Sequence, residues 1–87
     1  MHEASLMAGL MRHIREIAAA DGATRVVGVS VRLGALSHMS AEHFIEHFEH
    51  AAAGSIAEGA RLQIEVSEDT GAAWAQDIML ESVEVET

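Results

Sequence analysis

RVVGVSVRLG, residues 25–34, decides the fold. Within it Val27, Val29, Val31 and Leu33 alternate with Gly28, Ser30, Arg32 and Gly34, the period of two that a strand shows when one face is buried and the other meets water. The polar face is almost bare of long side chains. Upstream the period changes. From Ala4 to Asp21, Leu6, Leu10, Ile14 and Ile17 recur at helical spacing with Arg12, Arg15 and Glu16 elsewhere around the wheel, and Gly22 stands where a left-handed cap ends a helix.

Downstream, Ser40 predicts the N-cap of a second helix running to about Ala53, with Glu42 in its first turn and Gly54 closing it. Leu62, Ile64 and Val66 then alternate with Arg61, Gln63 and Glu65 as a second strand. A third runs from Ile78 to Glu86, and its phase shift between Leu80 and Val83 predicts a bulge near Glu81 and Ser82. The order is α-β-α-β-β. A strand, helix and strand in succession predict a crossover with parallel strands, and the last two strands are expected to pair through the loop Ser67 to Gln76. The reading is one α+β domain over residues 1–87, a three-stranded sheet with both helices on one face.

Composition narrows the function. The 87 residues hold two phenylalanines and one tryptophan, so the core must be built from aliphatic side chains, alanine and methionine. A core so thin, with open strand edges, leaves room for a homodimer. No cysteine is present, which excludes disulfides and thiolate zinc sites. The formal net charge is −9, and its placement is uneven, with Arg61 the one basic side chain facing the acidic residues after Ser37. Such a surface repels phosphate backbones and argues against nucleic acid, while cations and basic protein surfaces suit it. Charges at Glu3, Arg12, His13, Arg15 and Glu16 interrupt any apolar run for a leader or membrane span, so a cytoplasmic protein is expected.

The first residues are Met1, His2 and Glu3. In a chain that starts here, the Met1 amine, the His2 amide nitrogen and the His2 imidazole lie within chelating reach of one ion, and the Glu3 amide could complete a planar nitrogen set. Copper(II) and nickel(II) suit such sets. The plainer reading makes His2 a terminal histidine and Glu3 a helix-dipole partner.

A second group lies in AEHFIEHFEHAAAG, residues 41–54. His43, His47 and His50 fall at i, i+4 and i+7, beside a stripe of Glu42, Glu46 and Glu49, with Phe44, Ile45, Phe48, Ala51 and Ala52 forming the apolar face. Two readings stand: a solvated polar face, or an auxiliary, weaker metal site. His38 and His13 read as loop and surface residues, and Met7, Met11, Met39 and Met79 as core fillers. No nucleophile–base pair, phosphate loop or stacking platform appears, so an enzyme is not expected.

Several segments in order carry a resemblance. Met1, His2, Glu3, Ser5 and Leu6, then Gly34, Leu36 and Ser37, then Ala60, Leu62, Ile64 and Glu65, and last Ser82, Val83, Glu84, Val85 and Glu86 are similar to the motifs of the HypA/HybF family of hydrogenase and urease nickel-incorporation proteins. The resemblance implies a metallochaperone that binds nickel(II) through Met1, His2 and Glu3. It would pass the ion, with a HypB-type GTPase, to the large subunit of a nickel–iron hydrogenase or to the urease maturation proteins. The family inserts a zinc module with two CxxC pairs between its last two strands; with no cysteine here, that module is absent between about 67 and 76. The competing expectation is a metal-independent adaptor that kept the fold without the transfer activity.

Overall fold

The strand read first becomes the middle of the sheet. The computed structural model describes residues 2–87, with side chains for residues 5–87. Its elements are α1 (His2–Ala20), β1 (Arg25–Leu33), α2 (Ala41–Ala52), β2 (Arg61–Val66) and β3 (Ile78–Glu86), and the strands lie in the order β2-β1-β3. β1 runs parallel to β2, from Gly28 opposite Arg61 to Leu33 opposite Val66, and antiparallel to β3, from Arg25 opposite Glu86 to Leu33 opposite Ile78. The parallel pair joined through α2 is as expected. The pairing of the last two strands is not, because β1 lies between them. The physical reason is burial. β1 places Val26, Val29, Val31 and Leu33 in the core, whereas β2 and β3 carry charge at alternate positions (Arg61 and Glu65; Glu81, Glu84 and Glu86), which suits edges that face water.

Two bulges tune the register. Opposite β1, Ser30 pairs with Ser82 and Val31 with Leu80, so Glu81 is the extra residue where the phase shift predicts one. A second shift lies in β1 itself, between Val26 and Gly28. It turns Val27 off the core face and brings in Val26, which is fully buried, so Val26 replaces Val27 in the expected apolar row.

The helices cover one face of the sheet, α1 against α2 and β3, and α2 against α1 and β2. Gly22, at φ 64°, ends α1, and the Ala23 amide donates to the Ala18 carbonyl at 2.9 Å, a Schellman-type closure. The buried stripe of α1 is Met7, Met11, Ile14 and Ala18, while Leu6 stays 36% exposed and Leu10 and Ile17 only half-buried. The expected row of leucines is therefore rotated by about one position. Flexible methionines fill the irregular seam against Phe44 and Phe48 better than γ-branched leucine does, and Met39 joins them.

Ser40 caps α2 as expected, its hydroxyl accepting from the His43 amide at 3.1 Å, and Gly54 follows at φ 77°. Ser40→Ala should cost about 1 kcal/mol and lower the melting temperature by about 4–8 °C, read by circular dichroism. A change below a few tenths of a kcal/mol would mean the cap contributes nothing to α2.

Over the open sheet face, Arg61 and Glu84 meet at 3.0 Å above Gly28, the residue both strands align with, and Arg32 reaches Glu65 at 2.9 Å and Glu81 at 3.3 Å. All are exposed enough that each pair contributes at most about 1 kcal/mol. No helix among the described residues is long and apolar enough to cross a membrane.

Candidate metal centre

Met1 and the side chains of His2 and Glu3, the terminal candidates, lie outside the described residues. The backbone of His2 and Glu3 is described: α1 begins at His2. The first four amides of an α-helix have no partner within it, so the amides of His2 and Glu3 are not consumed by the helical ladder.

On α2 the three histidines are placed individually. The core pins Phe44, fully buried, and Phe48, 2% exposed, with their rings stacked at 6.0 Å. Each phenylalanine directly follows a histidine, so the rotation that buries the phenyl rings turns His43 and His47 outward together. Their imidazole centroids stand 4.6 Å apart with the planes tilted by 45°. His50 sits one turn further on. With His47 it lines a groove between the helices whose other walls are Met7, Met11, Arg15 and Ala51. Among the described residues no group of three or more histidine, aspartate or glutamate side chains is gathered closely enough to hold an ion, so the stripe yields a pair rather than a converging triad.

The remaining candidates fall as read, save Met79. His13 and His38 are exposed, the latter in the 34–40 loop at φ 61°. Met7, Met11 and Met39 are buried in the core, whereas Met79 is half-buried opposite Arg32 and outside the core cluster, because strand alternation turns its neighbours Ile78 and Leu80 inward instead. Ser37, read from the sequence only as part of the family motif, has its hydroxyl buried with no hydrogen-bond partner among the described residues; a serine in a loop carries no signal that it will turn inward.

The loop joining β2 to β3 is built from its own side chains. Ser67 Oγ accepts from the Asp69 amide at 3.1 Å, and Asp69 Oδ1 accepts from the Gly71 amide at 3.0 Å. It then returns to the end of β1, where Gly34 donates to the Asp77 carbonyl at 2.8 Å and Leu36 to that of Ala75 at 2.7 Å. Ala75 is buried there, and Trp74 lies 5.5 Å beneath the Arg32 guanidinium.

Residues 1–77 match the family model described as hydrogenase/urease nickel incorporation, metallochaperone, HypA. The hydrogenase maturation factor HypA of Rhizobium leguminosarum bv. viciae is 36% identical over 77 residues, which are 88% of this chain and 66% of that protein. The Escherichia coli (strain K12) factor of the same name is 37% identical over 68 residues, 78% of this chain and 59% of its own length. The chain thus spans about half to two thirds of the length of the curated relatives it matches. Its fold is that of the solution structure of the Ni metallochaperone HypA from Helicobacter pylori, with a TM-score of 0.81 at 19% identity over 97% of each chain.

Proposed function

The chain belongs to the HypA family of hydrogenase/urease nickel-incorporation metallochaperones, and we propose that it captures nickel(II) at its own N-terminus for delivery to a maturing nickel enzyme. The donors in this reading are the Met1 amine, the His2 amide and imidazole, and Glu3 through its amide. One observation supports it above the others: the family match starts at residue 1, so the three terminal residues lie inside it. The helix start adds to it. Amides of a first turn are free of the ladder, and the positive end of the helix dipole favours their anionic, metal-bound form.

Capture needs deprotonated donors, and release follows by ligand exchange, which acid assists. The recipient is a nickel–iron hydrogenase or urease, reached with a HypB-type GTPase in the cytoplasm, and the exposed edges of β2 and β3 are where a second copy would add. The ten residues 67–76 take the place of the family's zinc module, so the domain closes without zinc.

The test is nickel(II) titration by calorimetry with absorption spectra on three chains: the one starting at Met1, the same chain with one residue added before Met1, and His2→Ala. Only the first should show a planar-nitrogen spectrum. The other two should bind more than about a hundredfold more weakly, beyond what losing a supporting outer partner costs. Equal tight binding in all three would place the cargo elsewhere. No binding in any of them would leave the metal-independent adaptor as the better reading.

A further inference from the structure

We propose that His43 and His47 form a second cation site, a two-imidazole chelate on the outer side of α2 that takes a divalent ion of the nickel(II) or zinc(II) class. The ring spacing carries this. A metal–nitrogen bond of about 2.0–2.1 Å, with the ring centre roughly 1.1 Å further on, puts two imidazole centroids about 4.4 Å apart at a right-angled pair of positions and about 5.1 Å apart at a tetrahedral pair. The observed 4.6 Å falls between these limits. Histidines four apart on a helix are an established pairing for such ions, because both rings leave the same face one turn apart.

The backbone that carries the pair is held before any ion arrives. The His43 amide is fixed by Ser40 Oγ, the backbone on either side is anchored through Phe44 and Phe48, and His47 is half-buried against the groove to α1. The side of α2 from which both rings leave is therefore set by the core rather than by the ion. Two carboxylates favour a cation here: Glu42 and Glu46 flank the pair on α2, while Arg15 lines the groove that His47 shares with His50. Two protein donors leave the other positions to water. Such a site is weak and open, and an incoming ligand from another protein can complete it.

The proposed pair shares no residue with the N-terminal donors, and the experiment keeps the two separate by using the His2→Ala chain throughout. Nickel(II) sulfate is titrated into it by calorimetry, with proton NMR of the imidazole rings. One weak equivalent is expected, broadening the ring signals of His43 and His47 first. Adding His43→Ala or His47→Ala should weaken it by about tenfold or more, as a chelate becomes a single ligand. His47→Gln, which keeps the bulk beside the groove, should repeat the loss without disturbing the fold. His50→Ala should leave the affinity unchanged. Undiminished binding after either His43→Ala or His47→Gln overturns the proposal, and so does an equal loss in His50→Ala.

Discussion

Phe44→Ala should remove about 3–5 kcal/mol of stability, a large part of the roughly 4–13 kcal/mol that a domain of this length possesses. The ring is fully buried and stacks on Phe48 at 6.0 Å, and these are the only two phenylalanines in the chain. Around them stand methionine, valine and alanine, side chains too small or too well placed to close the void. A cavity that cannot collapse sets the cost at the upper end of the range. The melting temperature should fall by about 15–30 °C, measured by circular dichroism, while Phe44→Leu, which keeps most of the volume, should cost under about half as much. A loss below about 1 kcal/mol in Phe44→Ala would mean that α2 is not docked by this ring.

Much of this architecture is legible in the chain, and the reasons differ by element. Where one residue settles a local geometry, the expectation holds: Gly22 and Gly54 adopt positive φ, Ser40 caps α2, and the phase slip in β3 resolves into a bulge at Glu81. Each is decided by contacts within a few residues. Where neighbours in space decide, the pattern is ambiguous. Leu6 and Leu10 lie one position from Met7 and Met11 on the helix wheel, and only the shape of the opposing surface, set by Phe44 and Phe48, chooses between the two stripes. Strand order is of the same kind. Adjacency in sequence favours pairing β2 with β3, but the most apolar strand takes the centre, where it gains a partner on each edge.

The candidate metal residues divide along a similar line. Helical periodicity places His43, His47 and His50 on one side of α2, yet it cannot state ring separations or see that α1 brings Arg15 to the groove lined by the last two. A stripe of three thus becomes a pair plus an outlier. Met1, His2 and Glu3 are proposed as donors on different grounds: the chemistry would reside in the covalent chain itself, in an amine and successive amides, and needs no tertiary structure to bring the donors together.

Gly34→Ala should be the second most costly change, at about 2–4 kcal/mol. The reason is the path of the loop that joins β2 to β3. A methyl group at residue 34 would land on the carbonyl groups of Ala75 and Trp74, all backbone atoms, with no side chain that could swing aside. To relieve the overlap the loop must lift, and that stretches the Gly34 to Asp77 and Leu36 to Ala75 hydrogen bonds and exposes Ala75. Gly28 supplies the control. A methyl group there would meet the carboxylate end of Glu84, an exposed and flexible side chain whose pairing with Arg61 contributes little, so Gly28→Ala should stay within about 1 kcal/mol of the parent. Urea unfolding of both variants gives the contrast, and hydrogen exchange locates it: protection of the Gly34 and Leu36 amides should fall in Gly34→Ala and persist in Gly28→Ala. Equal stability of the two variants would show that residues 74 and 75 do not press on the end of β1. Unequal stability in the stated sense means that this short loop is held by backbone packing against β1.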